Sequence, residues 1–196
     1  MTTKIARPRG RPRRFDLDEA VRTAQELFHS HGYDAVSVGD ITKALGINPP
    51  SFYAAFGSKA ELYARVLERY DRTGALPLDR LLRPDRPVGQ CLLESLEEAA
   101  RFYSNNPDAA GCMVVEGTRC GDRSAREAAI SYNGAAEDVI RKYVAQRHPE
   151  EADQVTDFIA TVMFGLSAKA RNGHSLDQLT FSARIAGAGV RAMLEG

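Results

Sequence analysis

Basic side chains crowd the first 14 residues in a pattern suited to binding a polyanion. Six of the chain's 26 lysines and arginines lie there, with no acidic residue among them: Lys4, Arg7, Arg9, Arg11, Arg13 and Arg14. The remaining residues carry 20 basic and 26 acidic groups, so the formal net charge of zero hides a cationic end on an acidic body. Because phosphate neutralisation is short-ranged and salt-dependent, this asymmetry favours a nucleic acid bound at one end of the molecule.

The run Arg9-Gly10-Arg11-Pro12 has the composition of an AT-hook core. Glycine lets a backbone lie deep in a narrow minor groove, and arginines follow the negative potential there. The surrounding segment lacks periodicity, which predicts a disordered basic arm over residues 1–14. Two interpretations of this arm stay open, namely minor-groove binding by Arg9, Arg11 and Arg14 or a sequence-blind attraction to phosphates.

A second group of polar residues follows a glycine in the run SVGDITKALGINPPSFYAAFGSKAEL, residues 37–62. Its pattern predicts two short helices joined through Gly46, with the length of a helix-turn-helix, in which the second helix enters the major groove. Asn48 can cap that second helix, and Pro49 and Pro50 fit its first turn because the amides they lack would be unpaired there. Four side chains are expected to face inward: Ile41, Thr42, Leu45 and Phe52.

Catalytic and metal-binding patterns do not appear among the reactive residues. Histidines 29, 31, 148 and 174 have no partner at a catalytic or metal-ligand spacing, and cysteines 91, 112 and 120 follow no disulfide framework. We therefore expect no enzyme, no cofactor and no metal. No apolar run approaches the roughly 18 residues of a membrane span, and no secretory signal follows the basic start, so a cytoplasmic protein without a membrane partner is expected.

Helical periodicity with recognisable caps predicts an all-α protein of about nine helices. Gly74, Pro77, Pro84 and Pro87 form a break dense enough to separate two units. We expect the basic arm at 1–14, a helix-turn-helix DNA-binding domain with a three-helix headpiece at 15–73, and a ligand-binding and dimerisation domain at 74–196.

The predicted headpiece resembles that of the tetracycline-repressor (TetR) family, which reads approximately Ile-Ala-x-x-Ala-Gly-Val-Ser-x-x-x-Leu-Tyr-x-x-Phe-x-x-Lys-x-x-Leu. The matching residues here are Ile41, Thr42, Leu45, Gly46, Ile47, Asn48, Phe52, Tyr53, Phe56, Lys59 and Leu62. Upstream, Ala24, Leu27, Phe28, Gly32 and Tyr33 match as well, so the resemblance covers residues 15 to about 70. Thr42, Asn48 and the two prolines depart from the pattern. These departures are expected to change which DNA sequence is recognised more than the way the second helix contacts the major groove.

This resemblance implies a homodimeric regulator, by default a repressor that a small-molecule inducer releases from a palindromic operator in double-stranded DNA. By position it assigns Ser37 and Lys59 to phosphates near helix N-termini. It places Asn48, Pro49, Pro50 and Ser51 in or beside the major groove, where the prolines can contact thymine methyl groups. For Tyr53 it implies a ring packed inside and a hydroxyl that reaches the DNA backbone, whereas Phe56 is expected in the core.

The body offers a dimer surface and a cavity as further expectations. Small residues at 165, 167, 168, 183, 186–189 and 192 let the last two helices approach a second copy closely. If the resemblance holds, an inducer cavity lies among residues 88–166, since aromatic and thioether groups make adaptable linings. Its candidate wall residues are Phe102, Tyr103, Cys112, Met113, Glu116, Tyr132 and Met163.

Two alternatives remain open at this point. One is a regulator that senses oxidants or electrophiles through Cys112 or Cys120, with Arg119 as a thiolate stabiliser. The other is a helical interaction module whose basic tail binds DNA without sequence preference.

Overall fold

The computed structural model describes residues 16–195, all of whose regular structure is helical. Its ten α-helices are α1 Leu17–His31, α2 Val38–Leu45, α3 Pro49–Phe56, α4 Lys59–Thr73, α5 Leu78–Leu81, α6 Val88–Ser104, α7 Met113–Gly117, α8 Arg123–Ala145, α9 Ala152–Arg171 and α10 Leu176–Glu195. A 3₁₀ turn lies at Pro107–Ala109. The all-α prediction is confirmed. The extra helix relative to the predicted nine is the single turn α5, which is too short to show periodicity and lies in the proline-rich break.

Side-chain caps set the starts of the first four helices. Asp16, Ser37, Asn48 and Ser58 each accept a hydrogen bond from a backbone amide of the first turn that would otherwise be unpaired. Gly46 ends α2 with φ 66°, a left-handed conformation that favours glycine. The caps visible in the sequence therefore fix the bounds of α2 and α3.

Two hydrophobic clusters organise the described residues. The first holds the buried faces of α1 to α4, including Phe28, Phe52, Phe56 and Tyr63, and is completed by Met113, Cys120, Ala125 and Ala129 of α7, α8 and their connection. The second lies among α6, α8, α9 and α10. Because residues of α7 and α8 complete the first cluster, a shift of those helices changes the packing against α1 and α4. The expected domain boundary near residue 73 stays a prediction.

Helix α10 packs closely along α6 at positions where glycine leaves room. Gly187 lies against Leu93, and Gly89 lies against Arg191, so that any Cβ at these glycines would collide with the neighbouring helix. Part of the small-residue pattern therefore serves packing within one chain. Within residues 16–195, no helix has the length and apolarity needed to cross a membrane.

Candidate nucleic-acid interface

Helices α2 and α3 meet in a tight turn that leaves α3 on the surface. The Ile47 amide donates to the Thr42 carbonyl at 3.1 Å across Gly46. Ile41 and Phe52 are fully buried, so α2 braces α3 from behind. Thr42 is also buried, as predicted, while Leu45 is partly buried.

The outer face of α3 carries the residues expected to read bases. Asn48, Pro49, Pro50 and Ser51 are all exposed, and Tyr53 is 53% exposed with its ring edge against Phe52. Tyr53 is therefore more exposed than the predicted inward ring, while Phe56 is buried as expected. These positions leave the whole predicted reading surface open to a duplex.

Hydrogen bonding at the start of α3 limits what this face can offer a base pair. The Asn48 Oδ1 accepts from the Ser51 amide at 2.9 Å as the N-cap, which leaves its NH₂ group as a donor. No residue of Pro49–Phe56 is charged. The face can therefore supply hydrogen-bond donors from Asn48, Ser51 and Tyr53 and apolar contact from the prolines. It has no arginine that could form two hydrogen bonds with a guanine.

The two residues expected at phosphates already have partners in the protein. Lys59 donates from Nζ to the carbonyls of Tyr33 at 3.1 Å and Val36 at 3.0 Å, and its ammonium lies 4.0 Å from the centre of the Tyr33 ring. The Ser37 hydroxyl donates to the Asp40 carboxylate at 2.6 Å. Lys59 thus secures the connection between α1 and α2, and phosphate contacts by Lys59 and Ser37 stay predictions. Arg9, Arg11 and Arg14 lie outside the described residues.

A cavity of about 680 Å³ lies between the C-terminal end of α4 and helices α5 to α9. Its wall includes four of the seven expected ligand residues, namely Tyr103, Cys112, Tyr132 and Met163. The sequence did not predict the remaining lining residues, which are Tyr70, Asp71, Arg72, Thr73, Ala75, Leu76, Pro77, Leu78, Asp79, Arg80, Val114, Val115, Asn133, Ala135, Ala136, Glu137, Val139, Ile140, Ala160 and Phe164. The role of the cavity as a ligand site stays a prediction.

Three expected wall residues do not line this cavity. Phe102 is partly buried and packs against both hydrophobic clusters. Met113 is buried under α4, where its carbonyl accepts a hydrogen bond from the Tyr63 hydroxyl at 3.3 Å. Glu116 forms ion pairs with Arg119 at 2.8 Å and Arg171 at 3.7 Å. Met113 and Glu116 lie on the short α7, whose orientation the sequence does not show, whereas Phe102 lies on α6 and packs between the two clusters. Ligand binding by these three residues stays a prediction.

The cysteine environments do not favour thiol chemistry. Burial raises the pKa of Cys112 and of Cys120, so both thiols stay protonated at neutral pH. Arg119, the expected stabiliser of a Cys120 thiolate, instead pairs with Glu116. Sensing through a reactive thiolate therefore finds little support in the geometry of these residues.

Arg171, at the end of α9, connects three parts of the chain in what we call the Arg171 joint, which comprises His29, Ala110, Gly111, Ser167 and Arg171. The guanidinium donates to the carbonyls of His29 at 3.1 Å and Ala110 at 2.9 Å. His29 contacts the Gly111 carbonyl at 3.1 Å, and burial lowers its pKa. Gly111 has φ 81°, and a Cβ there would lie 3.0 Å from the Ser167 carbonyl oxygen. The joint ties the end of α1 to α9 and to the segment before α7.

An apolar surface on α9 and α10 is left uncovered in the single chain. Phe158 on α9 is 44% exposed, and on α10 Phe181 and Ile185 are 67% and 61% exposed and lie one helical turn apart. Gly165 and Gly189 have open space where a Cβ would be. We call these five residues the α9–α10 face. Exposed aromatic and aliphatic side chains beside glycines are typical of an interface between helices.

The tight turn before an exposed α3, braced by α2, defines a helix-turn-helix DNA-binding protein. A family model described as bacterial regulatory proteins, tetR family, matches residues 20–66. The HTH-type transcriptional repressor BdcR of Escherichia coli (strain K12) is 56% identical over 195 residues, which cover 100% of this chain and 99% of that protein. ComR, a second HTH-type transcriptional repressor of that strain, is 30% identical over 97% of this chain and 94% of its own length.

Among solved structures, a cysteine mutant of the TetR family transcriptional regulator CifR, complexed with 26bp double-strand operator DNA, is similar with a TM-score of 0.82. Its sequence is 28% identical, and the match covers 91% of this chain and 98% of that one. The chain therefore belongs to the TetR family of bacterial transcriptional regulators.

Proposed function

We propose that this protein is a cytoplasmic homodimeric repressor rather than an enzyme, and that a small molecule bound in the cavity releases it from a palindromic operator. The observation that carries the proposal is the exposed outer face of α3 in a helix-turn-helix whose partner helix is buried behind it. BdcR and ComR are named repressors, and CifR was solved on operator DNA, which supports extending that role to this chain.

The α9–α10 face supports the dimer. One copy presents three side chains that can donate hydrogen bonds, Asn48, Ser51 and Tyr53, and no charge on α3, which is a small surface for recognising a sequence. Two copies related by a two-fold axis would place two such helices in successive major grooves roughly 34 to 36 Å apart and double the readout. Phe181 and Ile185 supply apolar surface for holding the copies together.

The position of the cavity supports control by a ligand. Tyr70 lines the cavity and is one of the buried residues of α4, while the ring of His29 lies 5.5 Å from the Tyr70 ring. A molecule in the cavity therefore contacts α4, the helix that packs against α1 and α3 of the DNA-binding region. It would release DNA if it bound more tightly to a conformation whose two α3 helices are wrongly separated.

Fragment selection from the source genome followed by fluorescence anisotropy tests the proposal. We expect wild-type protein to bind a selected palindrome in preference to unrelated DNA of equal length. Ser51→Ala and Asn48→Ser should weaken that preference, since serine keeps an N-cap but removes the amide donors. Ser131→Ala, an exposed position on α8, is the matched control.

A variant that lacks residues 1–14 separates the regulator from the interaction module with a basic tail. The regulator keeps its preference for the palindrome without the arm, although with lower affinity. Binding that is salt-sensitive, blind to sequence and lost with the arm would contradict the proposed function.

A further inference from the structure

The buried part of the cavity wall is apolar. Its buried lining residues include Val115, Ile140 and Met163, and none of its buried lining residues is charged. Its exposed charged lining residues are Asp71, Arg72, Asp79 and Arg80. The remaining carboxylate, Glu137, accepts a hydrogen bond from Asn133 at 2.7 Å. An ion placed in the buried part would lose its hydration without gaining an opposite charge.

Two phenol hydroxyls on this wall lack hydrogen-bond partners among residues 16–195. Tyr103 is only 5% exposed and lines the cavity, and its hydroxyl forms no hydrogen bond with another described residue. Tyr132 also lines the cavity and has no hydrogen bond to a described residue.

Tyr70, by contrast, already donates to the Cys112 sulfur at 3.9 Å. Burial raises the pKa of Tyr103 and of Tyr132, so both phenols remain protonated donors at neutral pH. A largely buried hydroxyl without a partner is unfavourable, and a bound acceptor relieves that cost.

We propose that the cavity binds an uncharged, mainly apolar molecule that carries an acceptor oxygen, such as a ketone, which accepts hydrogen bonds from Tyr103 and Tyr132. This inference rests on the proposed function, in which the cavity is the inducer site. A volume of about 680 Å³ suits a drug-sized molecule. The apolar wall holds the body of the molecule, and the two phenols fix its orientation.

Three probes that share one ring system test the ligand class: acetylnaphthalene, which is a neutral ketone, ethylnaphthalene, which lacks an acceptor, and the anion naphthoate. Binding to the full chain is measured by equilibrium dialysis. We expect the ketone to bind at least about tenfold more tightly than the anion, which would lose its hydration. Tyr103→Phe should weaken ketone binding about fivefold and leave the hydrocarbon unaffected.

Tyr143→Phe is the matched control, because the Tyr143 hydroxyl donates to the Arg83 carbonyl at 2.8 Å and Tyr143 does not line the cavity. The ligand class is wrong if naphthoate binds as tightly as the ketone, if Tyr103→Phe leaves ketone affinity unchanged, or if none of the three probes binds.

Operator release, followed in parallel by anisotropy, separates the two proposals. Release driven by naphthoate in preference to the ketone would overturn the ligand class and leave the proposed function standing. Ketone binding that depends on Tyr103 but releases no DNA would support the ligand class and contradict release by a ligand in this cavity.

Discussion

Phe181→Ala should weaken dimer formation by an amount that can be worked out from its exposure. Full burial of a phenylalanine side chain contributes about 1.5 to 3 kcal/mol. Phe181 is 67% exposed in the single chain, so burial in the dimer still has about 1 to 2 kcal/mol to contribute per copy. A two-fold interface contains the residue twice, which gives about 2 to 4 kcal/mol, or roughly 30- to 1,000-fold in the dimer dissociation constant.

Sedimentation velocity over a dilution series measures this constant directly. Ile130→Ala is the matched control, because Ile130 is 51% exposed on α8, is not one of the residues of the α9–α10 face, and should leave the dimer unchanged. Circular dichroism should show unchanged helix content in both variants, since neither residue belongs to a hydrophobic cluster. A dimer dissociation constant within about threefold of wild type for Phe181→Ala would refute this interface.

Three further substitutions probe the DNA surface and the Arg171 joint. Tyr53→Phe should weaken operator binding about fivefold in anisotropy and leave the urea midpoint unchanged, because Tyr53 is 53% exposed and its hydroxyl has no partner among residues 16–195. Arg171→Met should lower the free energy of unfolding in urea by about 1 to 3 kcal/mol, through loss of its bonds to two carbonyls; an unchanged midpoint would contradict the joint. Burial lowers the pKa of folded His29, so wild-type stability should fall as the pH drops below about 6.5. His29→Gln should reduce that fall in thermal melts, whereas His31→Gln at the exposed end of α1 should not.

The helix-turn-helix could be predicted because its determinants are local. Gly46 and Asn48 fix the turn and the cap through their own backbone and side chain, and the inward positions of Ile41 and Phe52 follow from helical spacing. The ring of Tyr53 was predicted to face inward, but it is 53% exposed. In a helix as short as α3, periodicity does not show which of the two adjacent aromatic residues, Phe52 or Tyr53, faces the core.

The cavity could be predicted only in part because its wall depends on how distant segments face one another. Tyr103 and Met163 lie on long helices, whose inward faces are readable from spacing. Glu116 lies on the five-residue α7, whose orientation is set by long-range bonds such as the one from Arg171 to the Ala110 carbonyl. No local pattern in the sequence reveals a bond between residues so far apart.

Site-directed cleavage of the operator tests most directly whether α3 lies along the base pairs. An iron chelate that cleaves nearby DNA is attached at Ser51→Cys, and Ser131→Cys on the exposed side of α8 serves as the control. Cleavage from position 51 should concentrate in two major-groove segments placed symmetrically about the centre of the palindrome. Cleavage from position 51 no stronger or more localised than from position 131 would contradict the placement of α3 in the groove.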